Sequence, residues 1–255
     1  MQIQDMKVLV TGGGQGMGRC FVLSLAGEGA DVSFCDLNEE AIAEVESAAA
    51  DLPGSVKGFS CDVSKEEQVQ KLIADAAEAM GGLNGLINNA GIIRDGLLVK
   101  KDRETGALKS LSLRKWQQVI DVNLTGPFLC TRTFAEHCIA SGTNPACVVS
   151  ISSISRHGNM GQSNYSAAKA GLIADTKLWG GELARYGIRT GAVAPGPVRT
   201  PILEQMPPKA LEGMLRMVPL RRTAEPEEIY MAVKFIFECD FFTGRCIDVD
   251  GGMSI

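Results

Sequence analysis

Short runs rich in valine and isoleucine alternate with helix-length stretches along the whole chain, and no other property restricts the fold as tightly. The strand-length runs fall at 7–11, 31–36, 56–62, 83–88, 147–152, 189–194 and 246–250. Helical patterns occupy the intervals near 16–28, 39–50, 65–80, 112–140, 163–186, 208–217 and 226–238. Strands separated by helices of ten or more residues predict βαβ units. Crossovers between parallel strands are right-handed, so such units lay helices on both faces of one sheet. The expected fold is α/β, a doubly wound parallel sheet of about seven strands.

A chain of 255 residues and 27.1 kDa fits this as a single domain over 1–255. Hydrophobic residues at 45% and charged residues at 22% exclude a disordered chain and a coiled coil. Apolar runs are too short to span a membrane. A net charge of −5 argues against nucleic acid as a partner. The eight cysteines form no C-x-x-C pair and fit small buried hydrophobes in a reducing compartment. The first residues lack a signal peptide's basic and apolar regions, so a cytoplasmic protein is expected.

Two stretches break the alternation. Residues 98–111 (LVKKDRETGALKSL) are polar around a Thr105-Gly106 turn and predict a surface hairpin or excursion. Residues 195–219 carry Pro195, Pro197, Pro201, Pro207, Pro208 and Pro219, too many for a continuous helix. A loop with one short helix, serving as a substrate lid, is expected there. Met206, Met214 and Met217 fit either an adaptable apolar pocket beside that lid or ordinary gap filling.

The first strand runs into Thr11-Gly12-Gly13-Gly14-Gln15-Gly16-Met17-Gly18, and a helix begins at once. Glycines there let backbone N–H groups approach a phosphate, and the helix N-terminus adds partial positive charge. Gly12, Gly14, Gln15, Gly16, Met17 and Gly18 are therefore candidate dinucleotide contacts in a Rossmann-type sheet. Asp36 ends the second strand, about twenty residues further on, where a ribose-binding acid is expected. Its carboxylate would accept ribose hydroxyls and repel a 2′-phosphate. No Lys or Arg occurs from Gly12 to Gly18 or at Leu37 and Asn38, so NAD(H) is expected over NADP(H). Leu37, Asp62 with Val63, and Asn89-Ala90-Gly91 after the fourth strand complete the adenosine candidates.

Tyr165 and Lys169 form Y-x-x-x-K on a predicted helix, so both side chains share one face. A phenol has a reference pKa of about 10, and an adjacent ammonium favours the phenolate. Reaching pH 7 takes about three units, roughly 4 kcal/mol. Lys169 and an oxidised nicotinamide would together supply that charge, making Tyr165 a general base for alcohol oxidation and a general acid for ketone reduction.

Taken together, these motifs resemble the short-chain dehydrogenase/reductase family from Thr11 to Gly252. Matching residues include Thr11–Gly18, Asp36, Asp62, Asn88–Gly91, Asn123, Ser152-Ser153, Tyr165, Lys169, Pro195-Gly196 and Asp248–Gly252. The resemblance implies that Lys169 also binds the nicotinamide ribose and that a serine hydrogen-bonds the substrate oxygen. It implies that Asn123 helps hold a water linking Lys169 to solvent. It also makes Pro195, Gly196, Val198 and Thr200 the nicotinamide border, with the Val198 backbone facing the carboxamide. Counting back thirteen residues from Tyr165 selects Ser152, whereas aligning the preceding strand selects Ser153. Strand alternation puts Ser153 on the face of Val149 and Ile151, which favours it, with Ser152 as the alternative.

Residues 158–165 are most similar to 3-oxoacyl-[acyl-carrier-protein] reductases, a mostly NADP-using subgroup. The resemblance thus implies a small-molecule or acyl-thioester substrate and a homotetramer. A secondary alcohol–ketone pair is expected, with sugar, polyol and cyclic-alcohol substrates open, as is an NADPH-dependent reductase. A dinucleotide-sensing regulator on the same fold would show a broken Ser–Tyr–Lys set. Here the set is intact. His157, Arg156 and the pair Arg221-Arg222 fit solvated loop or ion-pair roles better than substrate contacts.

Overall fold

The computed structural model describes residues 1–204 and 208–253. Strands β1 (Lys7–Thr11), β2 (Asp31–Asp36) and β3 (Val56–Ser60) alternate with helices α1 (Gly16–Gly27) and α2 (Glu39–Ala48). Helix α3 (Glu66–Met80) then carries the chain back to β4 (Gly85–Asn88). An antiparallel hairpin, β5 (Val99–Lys101) and β6 (Leu108–Ser110), interrupts the pattern where the polar excursion was expected. Helices α4 (Leu113–Ile120) and α5 (Gly126–Ser141) lead to β7 (Ala146–Ile151), and α6 (Ser163–Glu182) to β8 (Ile188–Pro195). Short helices α7 (Pro201–Glu204) and α8 (Pro208–Leu215), then α9 (Pro226–Glu238), precede the last strand, β9 (Arg245–Val249).

Seven strands form one parallel sheet in the order β3-β2-β1-β4-β7-β8-β9. The expected doubly wound Rossmann-type sheet is therefore what the chain builds. Alternation along β1 divides the core. Val8 and Val10 pack with Phe21, Leu25, Val233 and Phe237 of α1 and α9. Leu9 packs on the opposite face with Leu72 and Ile73 of α3 and Phe134 of α5. Chain order reverses beside β1, where β2 lies on one side and β4 on the other. That reversal opens a crevice above the carboxyl ends of β1 and β4.

Three boundaries differ from expectation. The helical stretch expected at 112–140 is two helices joined by a widened turn, Asp121–Thr125, in which the Gly126 N–H bonds back to the Asp121 carbonyl. The stretch expected at 163–186 ends its α-helix at Glu182 and finishes as a tight turn closed by Gly187 at φ 72°. The proline-rich segment holds two short helices, α7 and α8, instead of one. Met206 and Pro207 lie outside the described residues. All eight cysteines are unpaired and five are buried. Burial pushes the Cys138 and Cys147 thiols up to about 12. Among the described residues, no helix is long and apolar enough to cross a membrane, and no cluster suits a metal ion.

Candidate active site

A cavity of about 580 Å³ occupies the crevice at the chain reversal. Its floor is the turn between β1 and α1. Gly12 sits at φ 65°, a conformation glycine adopts without penalty. A Cβ at Gly18 would lie 1.9 Å from the Gly12 carbonyl oxygen, so only glycine lets the helix start so close to the turn. Gln15 at the helix start makes no side-chain cap, and no acid occupies the first turn of α1. The N-terminal N–H groups are left for an anion. Asn89 secures the turn from β4, donating to the Thr11 and Gly12 carbonyls at 3.0 and 2.9 Å. Gly12, Gln15, Gly16, Met17 and Gly18 all line the cavity.

Gly14 does not line it, in contrast to the expectation of a direct cofactor contact. Its N–H donates to Asp36 Oδ2 at 3.0 Å, and a Cβ there would meet that oxygen at 2.8 Å. Gly14 therefore seats Asp36. The other oxygen, Oδ1, accepts from Leu37 N and Asn38 N at 2.8 and 3.2 Å. A carboxylate has about four lone-pair sites, so Asp36 retains acceptor capacity at the rim. Leu37, Asp62, Val63, Ala90 and Gly91 surround this end of the cavity, as does Asn89. Asp62 Oδ1 is engaged by Ser64 N and Oγ at 3.0 and 2.7 Å. Cys35 and Cys61 also line this end, although the sequence marked them only as core.

At the opposite end stands Tyr165, on the first turn of α6. Burial pushes its phenol above the ordinary value, and a hydrogen bond with Ser153 opposes that shift. Lys169, one turn on, is 4% exposed. Its Nζ donates to the Ile151 carbonyl at 2.7 Å and lies 5.6 Å from the centre of the Tyr165 ring. Burial pulls the ammonium down to about 8. The two serines separate cleanly. Ser152 Oγ donates to the Lys169 carbonyl at 2.8 Å and is 2% exposed. That engages the Ser152 hydroxyl proton in joining β7 to α6, although Ser152 also lines the cavity. Ser153 adjoins Tyr165, and its Oγ accepts from Ser155 N at 3.1 Å, leaving the hydroxyl proton free to donate.

Asn123 sits fully buried in the widened turn after α4. Its Oδ1 accepts from Ile92 N at 2.8 Å and its Nδ2 donates to Ile92 O at 3.0 Å. The side-chain amide thus braces the segment that follows β4, with one N–H and one lone pair left over. Pro195, Gly196, Val198 and Thr200 line the wall after β8. Here Ala224 N donates to Pro197 O at 2.8 Å and Arg199 N donates to Ala224 O at 2.9 Å. Backbone groups alternate direction along an extended segment, so Val198's own N–H and C=O face away from Ala224, towards the cavity.

Beyond Tyr165 the lining comes from Ile92, Ile93, Ile154, Leu203, Met214 and Met253, with Asn159 and Gln162 as neutral polar groups. Sequence reasoning singled out only Met214 among these. Among the described residues on the cavity wall, Asp36 and Asp62 are the charged ones, both at the end where β1 meets α1. Arg156 pairs with Asp248 at 2.8 Å and Arg222 with Glu228 at 2.6 Å, and neither arginine lines the cavity.

Comparison with known proteins adds to this geometry. A family model described as enoyl-(acyl carrier protein) reductase matches residues 12–254. A 3-oxoacyl-[acyl-carrier-protein] reductase of Thermotoga maritima is 36% identical over 258 residues, spanning 100% of both chains. A (3R)-3-hydroxyacyl-CoA dehydrogenase of Canis lupus familiaris is 32% identical, covering 99% of this chain and 98% of the relative. A 2,5-dichloro-2,5-cyclohexadiene-1,4-diol dehydrogenase of Sphingobium indicum is 35% identical over the same shares.

Proposed function

The chain belongs to the short-chain dehydrogenase/reductase family of oxidoreductases, and on that premise we propose that it interconverts a secondary alcohol and a ketone with NAD(H), using Tyr165 as general acid–base. The observation that carries the reading is one cavity with Ser153, Tyr165 and the neighbouring Lys169 at one end and Asp36 at the other. The residues present suit a nicotinamide dinucleotide. The uncapped start of α1 suits its pyrophosphate. Asp36 keeps acceptor capacity for ribose hydroxyls and opposes a 2′-phosphate. The N–H and C=O of Val198, without a hydrogen-bond partner among the described residues, suit a carboxamide.

Bound NAD supplies a hydride acceptor, and NADH a donor. In the oxidative direction the Tyr165 phenolate takes the proton of the substrate hydroxyl, while the Ser153 hydroxyl donates to the same oxygen. In reduction Tyr165 returns that proton to the carbonyl oxygen. Burial alone holds Tyr165 protonated. Positive charge from Lys169, fixed on the Ile151 carbonyl, favours its ionisation. Asn123 holds the Ile92 segment in place through its amide.

The substrate end favours a neutral, partly apolar molecule. Among the described residues it offers aliphatic and methionine side chains and no cation to meet a phosphate or carboxylate. A 3-hydroxyacyl/3-oxoacyl thioester or a cyclic alcohol fits, as the names of the relatives suggest. We assign residues 195–219 the role of a substrate lid, since Pro197, Leu203 and Met214 lie on the wall. A homotetramer would cover the exposed Phe128, Ile139 and Leu178 of α5 and α6, a point for light scattering. The unpaired thiols fit a cytoplasmic setting.

A titration and an activity assay test the reading. Nicotinamide fluorescence with NADH and NADPH should show preferential NADH binding. NADPH preference, favoured by the likeness to 3-oxoacyl-[acyl-carrier-protein] reductases, would overturn the Asp36 argument. Acetoacetyl-CoA reduction followed at 340 nm should vanish in Tyr165→Phe while NADH binding persists.

A further inference from the structure

Asn164 precedes Tyr165 and is fully buried, with every polar atom of its side chain engaged. Its Nδ2 donates to the Arg94 carbonyl at 3.2 Å and to the Lys115 carbonyl at 3.1 Å. Its Oδ1 accepts from Tyr165 N at 2.8 Å. That N–H is among the first four of α6, which have no partner within the helix. Gln162, at the helix N-terminus, makes no side-chain cap. Asn164 thus supplies from inside the helix what the cap position does not.

Its two acceptors are informative. Arg94 and Lys115 flank the β5–β6 excursion, one before it and one after. A single amide therefore holds both feet of the excursion against the helix turn that carries Tyr165. Neighbouring contacts run the same way. Gly96 N donates to Gly161 O at 2.8 Å. Gln162 Nε2 lies 3.2 Å from both oxygens of Asp95. Lys115 Nζ reaches Asp95 O at 3.1 Å.

We propose that Asn164 is a positioning residue for Tyr165: it clamps the two feet of the excursion to the start of α6 and so fixes where the phenol stands relative to Ser153. The inference rests on the reading of Tyr165 as the acid–base group. Displacement of a reacting group by about 1 Å is enough to lower a rate about 100-fold. Loss of the clamp would act on turnover more than on cofactor binding, because the glycine turn and Asp36, at the other end of the cavity, belong to β1, α1 and β2.

The test uses the full chain with Asn164→Asp and Asn164→Ser. Asp keeps an acceptor for Tyr165 N and loses both donors. Ser is small enough to be accommodated if the carboxylate is not. Activity with acetoacetyl-CoA and NADH is divided by NADH-binding sites counted by fluorescence, so poorly folded material does not enter kcat. The expected result is kcat down about 10- to 100-fold, with KM and the NADH Kd within about threefold. The kcat–pH profile should also change its apparent pKa, which a loss of folded protein cannot do. Wild-type kcat per site in both variants, or an unmoved pH profile with a lower amplitude, would overturn the proposal. Tyr165→Phe run alongside separates the two ideas: if it turns over normally, the acid–base reading itself fails.

Discussion

Exchanging each of the adjacent serines for alanine should produce opposite phenotypes. Ser152 Oγ donates to the Lys169 carbonyl inside the protein. That carbonyl lies within α6, so its helical hydrogen bond survives removal of the hydroxyl. Ser152→Ala then costs one neutral hydrogen bond, about 1 kcal/mol. For a chain of this length that is about 2 °C in Tm, with kcat within about threefold of wild type. Ser153 is half exposed to the cavity, and its structural task is to accept from Ser155 N at the start of a short turn. Losing that contact costs about 0.5–1 kcal/mol. In the proposed mechanism, however, its hydroxyl donates to the oxygen that Tyr165 protonates. Removing such a donor lowers kcat by about 100- to 1,000-fold. The Ser153 bond also opposes the upward shift of Tyr165. In the oxidative direction, where the phenolate is the active form, the rising limb of the Ser153→Ala rate profile should move to higher pH. Paired melts and steady-state assays with acetoacetyl-CoA and NADH decide the matter. If Ser152→Ala takes the kinetic loss and Ser153→Ala runs normally, the geometric assignment is wrong.

Three further outcomes follow from the same coordinates of charge and space. Asp36→Ser removes acceptors from Gly14, Leu37 and Asn38 together with the repulsion of a 2′-phosphate; the NADH Kd should rise at least about tenfold and the preference over NADPH should narrow, read by fluorescence titration. Lys169→Met should abolish turnover, and its stability should depend differently on pH. The folded pKa of about 8 lies below the ordinary 10.5, so between those values the unfolded chain binds more protons and wild-type stability rises with pH. The wild-type Tm should therefore climb relative to Lys169→Met across pH 8–10.5, by at most roughly 3 kcal/mol in equivalent stability; parallel curves would refute the buried ammonium. Gly18→Ala forces a carbon to within 1.9 Å of the Gly12 carbonyl oxygen, so NADH binding should be lost or the protein destabilised by about 3 kcal/mol, measured by titration and by urea unfolding.

Local spacing made much of this molecule readable. The boundaries of β1 and β2 follow from their hydrophobic runs alone, and Y-x-x-x-K brings two side chains together because a helix repeats nearly every four residues. Features that depend on which way a group faces were harder. Gly14 sits in the glycine turn, yet its N–H faces Asp36 instead of the cavity, a direction set by the tertiary path of β2. The helical reading of 112–140 passed over the widened turn at Asp121–Thr125, because the backbone is helical at Ile120 and Gly126 on either side of it. The wall around the substrate was the least readable. Ile92, Asn159, Leu203 and Met253 come from three loops and the short helix α7, and no periodicity links them. Nothing local in the sequence distinguishes Asn164, since both its acceptors are distant backbone carbonyls.

The β5–β6 hairpin closes on itself: Leu111 N donates to Leu98 O at 3.1 Å, and all six strand residues are exposed. Its two ends are already neighbours, so the path of the chain before and after it is indifferent to its length. Such a site is a natural insertion point. A reporter peptide, an affinity tag or a single fluorophore placed at the Thr105-Gly106 tip would ride on the surface without entering the seven-stranded sheet. The same closure makes excision to a two-residue turn a clean graft.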